Sequence, residues 1–394
     1  MEFSVTMRTP LAWNKMMHNK VRTAASLSGV CFAIALIFMQ LGFYDASFRS
    51  STMVYDQMDF DIALVSPHYY LLLTADNFPR RRLQQARAVP GVAQVAPLYV
   101  VSALLRNPAS EGKPRTPSDE PALKQVLVIG VDPAQQPFRE PRLAQGVKER
   151  LKKINTAIWD IKTQPGYARL HEGQVIEVGA RNLEVVGTSA HGCGFVSPAM
   201  MIVGSQTLPG MFGNYPLDAV SVGLVKLAPG ASRTAVLAAL RKALPSDTLV
   251  WDRSELESNE QHYFMFRKPL GIMFGSGVIL AFLVGAVILY QILASEVLNY
   301  LKQYATLIAM GYSRADVNWV VFQQATLFAV FGYVPAALFG WGIYITTRLA
   351  VNLPMFMTPG RLAFVLLLAI IMCSGSGLLV LRQLRRADPA DLFA

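Results

Sequence analysis

The chain has 394 residues, of which 53% are apolar and only 16% are charged, and its net charge at neutral pH is +10. Soluble domains carry about 45–50% apolar and about 25% charged residues. The shortage of charge argues against a disordered or acidic chain and against an ordinary water-soluble enzyme. The apolar residues must therefore be concentrated in particular segments.

Four long, strongly apolar segments contain no charged residue: residues 24–43, 271–293, 320–347 and 362–381. Each reaches the roughly 20 residues that an α-helix needs to cross about 30 Å of hydrocarbon. The first run is followed by Tyr44 and Asp45 rather than by a small-residue cleavage site, so it is predicted to be a retained anchor and not a cleaved signal peptide. The pattern predicts four membrane-spanning helices.

The predicted fold class is a membrane α-helical protein with four transmembrane helices and a large mixed α/β periplasmic domain between helices 1 and 2. The predicted divisions are a cytoplasmic amphipathic segment (1–23), helix 1 (24–43), the periplasmic domain with its stalk (44–268), helix 2 (269–293), a cytoplasmic elbow (294–319), helix 3 (320–347), helix 4 (362–381) and a basic cytoplasmic tail (382–394).

Lysine and arginine near the spans predict the orientation, because cytoplasmic flanks carry more of them. Placing the N-terminus inside gives more basic residues on the inner flanks (Arg8, Lys15, Lys20, Arg22, Lys302, Arg314, Arg382, Arg385, Arg386) than on the outer flanks (Arg49, Arg267, Lys268, Arg348, Arg361). Both termini are then cytoplasmic. The basic excess near the membrane suits anionic lipids, and no basic stripe typical of nucleic-acid binding is present.

The outer segment has a mixed pattern of strands and helices. Strands are predicted at residues 60–66, 92–101, 126–130 and 221–227, a hairpin at 174–187, and helices at 79–89 and 232–244, the second with Ser232 as its N-cap. A capping box at Ser254 and Glu257 predicts a stalk helix that leads into the second span. Continuation through Pro269 as a kink is favoured over a helix that ends there.

The predicted cytoplasmic elbow lies between spans 2 and 3. An amphipathic segment ends at Gly311, and Ser313 with Asp316 forms a capping box for the next helix. Such a helix–turn–helix can be pushed by a partner, although a helix resting on head groups has the same pattern. The residues predicted to couple to a partner are Glu296, Leu301, Tyr304, Thr306, Leu307, Met310, Gly311, Tyr312 and Ser313.

Small residues recur at four-residue spacing in two spans. They are Gly271, Gly275, Gly277, Ala281 and Gly285 in the second span, and Gly332, Ala336 and Gly340 in the third. Small residues let helix backbones approach closely in lipid, which predicts helix–helix interfaces, including that of a homodimer. Chance occurrence in apolar helices is the alternative interpretation.

The motifs of common catalytic sites are missing from the sequence. There is no phosphate-binding P-loop, no G-x-S-x-G elbow and no H-E-x-x-H helix, and His191 with Cys193 has no second ligand pair. No catalytic residue, metal site or cofactor is therefore predicted in this chain. Because the spans contain no Asp, Glu, Lys or Arg, an ion pump or proton-coupled carrier is also disfavoured.

Several stretches resemble the DevC-type branch of the FtsX/MacB-like permeases of ABC exporters. These stretches are Pro10-Leu11-Ala12-Trp13, Phe38-Met39-Gln40-Leu41-Gly42-Phe43, Val65-Ser66-Pro67, Phe78-Pro79-Arg80-Arg81-Arg82-Leu83, Val95-Ala96-Pro97-Leu98-Tyr99, Val128-Ile129-Gly130, Tyr290-Gln291-Ile292-Leu293, Tyr304-Ala305-Thr306-Leu307 and Ala309-Met310-Gly311-Tyr312. The order of one span, a large outer domain and three further spans is also similar to that of these permeases.

The resemblance implies a non-catalytic subunit in the bacterial inner membrane that works as a homodimer. A separate cytoplasmic ATPase, which would bind ATP and Mg²⁺, would dock on the elbow. A periplasmic membrane-fusion adaptor and an outer-membrane channel of TolC type would complete an exporter of glycolipids or other amphiphilic envelope molecules. Two alternatives stay open, namely FtsX-like signalling or lipoprotein extraction driven by the same ATPase, and a membrane-anchored enzyme with an unrecognised outer site.

Overall fold

The computed structural model describes residues 20–106, 123–135, 137–192, 194–213, 215–299, 310 and 313–386. The chain divides into two compact units. The membrane unit falls within Met1–Tyr44, Met273–Thr346 and Met355–Ala394, and the outer unit comprises Asp45–Ile272 and Thr347–Pro354.

The elements follow one another in a mixed order along the described chain. They are α1 (Lys20–Asp56), β1 (Ile62–Val65), β2 (Phe78–Pro79), α2 (Arg81–Arg87), β3 (Val92–Arg106), β4 (Leu123–Val131), α3 (Pro141–Arg150), β5 (Thr156–Asp160), β6 (Val175–Val178), β7 (Arg181–Ser189), β8 (Met200–Gly204), α4 (Leu208–Met211), β9 (Ala219–Val220), β10 (Val222–Leu227), α5 (Arg233–Ala243), β11 (Leu249–Asp252), α6 (Arg253–Phe266), α7 (Pro269–Asn299), α8 (Arg314–Val351) and α9 (Pro359–Arg386). Short 3₁₀ turns lie at Leu72–Thr74 and Ser205–Thr207.

Four of the described helices are long and apolar enough to cross a membrane. Their candidate spans are Thr23–Asp56, Pro269–Ser295, Phe322–Val351 and Pro359–Val380. Inside the membrane unit the four helices share one apolar core, to which Phe38, Leu289, Phe328 and Met372 contribute side chains that are almost fully buried. The predicted fold class, four membrane helices with a mixed α/β domain between the first and the second, is confirmed.

The outer unit is built on a nine-stranded sheet with the order β11-β1-β10-β3-β4-β8-β5-β7-β6. The 15-residue strand β3 pairs with β10 and β4, and its last residues also pair with β6. This extra pairing joins the two ends of the series β3-β4-β8-β5-β7-β6, so these six strands form a closed ring. A closed ring leaves those strands without free edges for unwanted pairing.

Both faces of the sheet are covered, because alternate residues of its strands belong to two different apolar clusters. In β1, Ile62 and Leu64 join one cluster, whereas Ala63 and Val65 join the other. Helices α2 and α5 pack on the first face. The end of α1, together with α3 and α6, packs on the second face.

Most of the strands and helices predicted in the outer segment are present, with shifted ends. Ser232 is the N-cap of α5, as predicted, and its hydroxyl accepts a hydrogen bond from the Ala235 amide. The predicted capping box at Ser254 and Glu257 is wrong, because Asp252 is the N-cap of α6 and Glu255 completes the box. Asp252 is the last residue of strand β11, so a search for helix N-caps in turn sequences does not find it.

The preferred continuation of the stalk through Pro269 is also wrong. Helix α6 ends at Phe266, where the amides of Arg267 and Lys268 both donate to the Tyr263 carbonyl. A new helix, α7, starts at Pro269. Proline at a first helical position lacks only an amide that would be unbonded anyway, so Pro269 starts a helix here instead of kinking one.

Candidate coupling site

The predicted cytoplasmic elbow is described only at its ends. Glu296 lies in α7, Met310 is 64% exposed, and Ser313 directly precedes α8. The other predicted coupling residues lie outside the described residues: Leu301, Tyr304, Thr306, Leu307, Gly311 and Tyr312. Docking of a partner on the elbow stays a prediction.

The predicted small residues lie against other helices of the same chain. A Cβ atom added to any of these glycines would meet a neighbour: Tyr44 for Gly275, Gln40 for Gly277, Ala33 and Met372 for Gly285, Val30 for Gly332 and Phe38 for Gly340. Ala281 and Ala336 are buried in the core of the membrane unit. Gly271 faces the backbone of Met265 instead. In the membrane unit the small residues thus allow close packing of α7 and α8 on α1, and of α7 on α9.

The outer end of α1 is held by an arginine from the start of α6. The Arg253 guanidinium donates to the carbonyl of Tyr55 at 3.1 Å and to that of Met58 at 3.0 Å, and it lies 4.5 Å from the centre of the Phe60 ring. Glu257 accepts from Arg253 Nε at 2.6 Å. Because the last carbonyls of a helix lack partners and attract cations, Arg253 completes the end of α1 and ties it to α6.

A second tie joins the same two helices through a buried hydrogen-bond chain. The Tyr69 hydroxyl and the Leu72 amide both donate to Glu260 Oε1, the amide at 2.8 Å. The Tyr55 and Tyr69 hydroxyl oxygens lie 2.5 Å apart. Since Tyr69 gives its only hydroxyl proton to Glu260, Tyr55 is the donor to Tyr69. Tyr55, Tyr69, Arg253 and Glu260 together form what we call the helix junction.

Burial decides the protonation of the helix junction. Glu260 is 1% exposed, and desolvation raises the pKa of its carboxyl from 4.5 to about 8, against the smaller lowering effect of its hydrogen bonds. Burial likewise raises the pKa of the Tyr69 hydroxyl well above 10. At neutral pH Glu260 and Tyr69 are therefore uncharged, and neutral hydrogen bonds hold the two helices and the loop together.

None of the four residues of the helix junction was predicted from the sequence. One signal was available, because Leu256, Glu260 and Phe264 follow at four-residue spacing on α6 and all three are buried. An acidic residue on the apolar face of an amphipathic helix is a candidate buried carboxyl. Its partner Tyr69 lies 191 residues away, so spacing alone could not identify it.

A loop of the outer unit also approaches α1 closely at Ser50, which precedes the helix junction in the sequence. Gly194 has a φ of +54°, and a Cβ atom there would lie 2.1 Å from the Ser50 hydroxyl oxygen. Only glycine meets both conditions without strain. The segment that follows α8 joins the same region, because the Asn352 side-chain amide donates to the Thr163 carbonyl at 2.8 Å.

The buried carboxylate of Asp160 shapes this loop. It accepts hydrogen bonds from the Ser189 hydroxyl and from the amides of His191, Gly192 and Lys162. A cavity of about 430 Å³ adjoins the loop and is lined by Met53, Asp56, Gln57, Arg139, Glu140 and His191. His191 Nε2 lies 3.0 Å from Glu140 Oε2. No group of three metal-ligating side chains occurs among the described residues.

Two family models match the chain. The MacB-like periplasmic core domain matches residues 23–243, which is more than half of the chain, and the FtsX-like permease C-terminal region matches residues 275–389. The chain belongs to the MacB-like/FtsX-like family of ABC transporter permeases. Proteins of this family are permease subunits that are generally non-catalytic, and membership implies an ATPase partner. A comparison with curated proteins finds no match.

Solved structures of two outer domains are also similar to this family member. The extracellular domain of the noncanonic ABC-type transporter YknZ from Gram-positive bacteria is 15% identical, with a TM-score of 0.33, and the match covers 49% of this chain and 98% of that one. The periplasmic region of MacB from Actinobacillus actinomycetemcomitans is 9% identical, with a TM-score of 0.35, over 52% of this chain and 94% of that one.

Proposed function

We propose that this permease carries the motion of a separate ATPase from the cytoplasmic elbow to its outer domain. The observation that supports the proposal most is α1, a single helix of 37 residues that begins before the first charge-free run and ends at the helix junction. At 1.5 Å per residue it is about 55 Å long, more than the roughly 30 Å thickness of the hydrocarbon. A displacement of this helix reaches the outer sheet without an intervening loop.

The connection through α6 and α7 is interrupted, whereas α1 is continuous. This difference favours a hinged transmission of motion over a rigid one. Helices α6 and α7 are separated at Arg267 and Lys268, where the helical hydrogen bonds stop. In the proposed cycle, a displacement of α1 is transmitted through the helix junction to α6. The break between α6 and α7 then allows the angle between these two helices to change.

The proposed cargo is a glycolipid or another amphiphilic envelope molecule, which would move on the periplasmic side. The charge-free spans support this, since they contain no Asp, Glu, Lys or Arg that could line a path for a hydrophilic solute. We further propose that the permease is a homodimer with both termini in the cytoplasm, and that it passes cargo to a membrane-fusion adaptor and a TolC-type channel. The quoted motifs that resemble DevC-type permeases support this choice.

A direct test uses the elbow. We expect Leu307→Asp and Met310→Asp to abolish the ATP hydrolysis that the permease stimulates in a copurified ATPase, because a buried charge disrupts an apolar docking contact. The control is Ile154→Asp, a change at an exposed residue of the outer unit, which we expect to leave hydrolysis unchanged. Normal stimulation in both elbow variants, with the protein inserted in the membrane, would defeat the docking proposal.

The alternative output is FtsX-like signalling or lipoprotein extraction, and the match to the FtsX-like C-terminal region supports the shared mechanism. The two outputs differ in the partner of the outer domain. Copurification of an adaptor in mild detergent favours export, whereas copurification of a cell-wall hydrolase favours signalling.

A further inference from the structure

The last turn of α6 and a distant loop form an exposed aromatic patch on the outer unit. The rings of Tyr70 and Tyr263 lie 5.7 Å apart with an angle of 29°, and Asn259 Nδ2 donates to the Tyr70 carbonyl at 3.1 Å. Phe266 is 60% exposed and Tyr70 is 54% exposed. We call Tyr70, Tyr263, Phe266, Arg267 and Lys268 the aromatic–basic patch.

Large aromatic side chains exposed to water are costly, so their grouping requires an explanation. Tyr70 belongs to a loop whose neighbours Tyr69, Leu71 and Leu72 are buried. These buried residues already pack the loop against the outer unit. The packing of the loop therefore does not account for the exposed position of Tyr70. The contact of Asn259 with its backbone fixes that position.

The patch lies directly beside the start of a membrane-spanning helix. The Lys268 amide donates to the Tyr263 carbonyl at 3.1 Å, and α7 begins at Pro269 with a mean hydropathy of 2.6 over its apolar window. The polar layer of a bilayer extends about 5–8 Å beyond the hydrocarbon on each side. Phe266 precedes Pro269 by less than one helical turn of about 5.4 Å, so the end of α6 lies within the reach of this layer.

The chemistry of the patch suits phospholipid head groups. Tyrosine is enriched at membrane–water interfaces, because its ring is apolar and its hydroxyl group can remain hydrated. Arg267 is exposed and Lys268 is partly exposed, and both are cations that attract lipid phosphates. The other titratable side chain at the end of α6, His262, packs on Phe266 with 5.0 Å between the ring centres. The end of α6 and the two residues that follow it therefore present aromatic rings and positive charge and no carboxylate.

We infer that the aromatic–basic patch binds phospholipid head groups of the outer leaflet, and that the loop carrying Tyr70 is a membrane-lying segment. Tyr70 is 199 residues from Pro269 in the sequence, so only the fold brings this loop to the bilayer. The inference goes beyond the proposed function, because it requires neither an ATPase nor a cargo. It gives the outer domain an attachment to the membrane in addition to its membrane-spanning helices.

Fluorescence quenching by lipid head groups tests the inference. Cys31, Cys193 and Cys373 of the full-length chain are replaced by serine, and a single fluorophore is attached at Tyr70→Cys. The protein is placed in nanodiscs of phosphatidylcholine with or without a nitroxide on the head group. We expect the fluorophore at position 70 to lose most of its intensity, as a reference fluorophore at Phe266→Cys does. The control is Gln84→Cys, a change at an exposed residue of α2, where we expect the fluorophore to keep its intensity.

Each outcome decides the question, since synthetic phosphatidylcholine is the only lipid present and no partner is added. Quenching at positions 70 and 266 without quenching at 84 supports the inference. Equal intensities at 70 and 84 would overturn it and leave the patch to the exported amphiphile or to a partner protein. Tyr70→Trp keeps an aromatic ring on Tyr263 and needs no attached fluorophore. The quenching of its tryptophan fluorescence, compared with that of the unlabelled parent chain, is a second measurement of the same contact.

Discussion

The carboxyl group of Glu260 lies where a negative charge would be costly, and the hydrogen bonds that it accepts offset only part of that cost. Two donors occupy Oε1, so the carboxyl proton resides on Oε2. The cation of the helix junction, Arg253, is bonded to Glu257 and to the carbonyls of Tyr55 and Met58. The donors to Glu260 are instead the Tyr69 hydroxyl and the Leu72 amide, which are both neutral.

Stability is expected to depend on pH through Glu260. Unfolding returns its pKa from about 8 to 4.5, so the folded chain keeps a proton that the unfolded chain loses between these values. The contribution of the neutral group is complete below 4.5 and decreases as pH rises to about 8, by about 1.4 kcal/mol per pH unit. We expect Glu260→Gln, which stays neutral and keeps an acceptor oxygen, to flatten this dependence.

Chemical denaturation of the full-length protein in detergent at several pH values measures the effect. The control is Glu149→Gln, a change at an exposed residue of α3, which we expect to retain the pH dependence of the parent. Identical slopes for the parent and Glu260→Gln would show that this carboxyl does not carry the effect.

Helix α8 carries two glycines with opposite surroundings. A Cβ atom at Gly332 would lie 2.6 Å from Val30 Cγ1 on α1, whereas one at Gly342 meets nothing within 4 Å. Alanine is favoured over glycine in a helix by about 0.5–1 kcal/mol. Overpacking costs about 1–3 kcal/mol, so we expect Gly332→Ala to lower the free energy of unfolding and Gly342→Ala to maintain or raise it.

The two variants have the same change in helix propensity, and each therefore controls for the other. Thermal unfolding in detergent gives the comparison. Equal shifts in the two variants would mean that α8 does not rely on close packing at Gly332.

Helix ends were the least predictable elements, for local physical reasons. The spacing of apolar residues identified α5 and its cap Ser232, because both signals lie within one turn. For α6 two candidate caps compete, and Asp252 prevails because its carboxylate accepts from the Ser254 amide while Glu255 bonds back to the Asp252 amide. A sequence pattern cannot rank the two when both contain an acidic residue three positions later.

At the scale of the whole molecule, the charge-free runs made the fold class predictable. Crossing hydrocarbon requires length and apolarity, and both can be read locally. The order of strands in the outer sheet could not be read in this way. Strand β1 pairs with β10 and β11, which lie far along the chain, and the parallel pair β4 and β8 is separated by β5, β6 and β7 in sequence. Such pairings depend on the packing of both sheet faces.

The orientation in the membrane is a prediction at this scale. In a chain without its native cysteines, we expect a membrane-impermeant maleimide to label Gln84→Cys from outside the inner membrane and to leave Met310→Cys unlabelled until the membrane is opened. The physical reason is the larger number of lysine and arginine residues on the flanks assigned to the cytoplasm. The reverse labelling pattern would invert the topology.

The chain leaves α1 and returns to α6 at nearly the same point, since Arg253 bonds the Tyr55 carbonyl across 198 residues of sequence. Strands β1 to β11 thus all lie in the segment between these two helices. Joining two ends that already meet requires only a short loop, which costs little closure entropy. A domain grafted in place of this segment would need ends at the same separation, and also an apolar surface on which the end of α1 and helix α6 can pack.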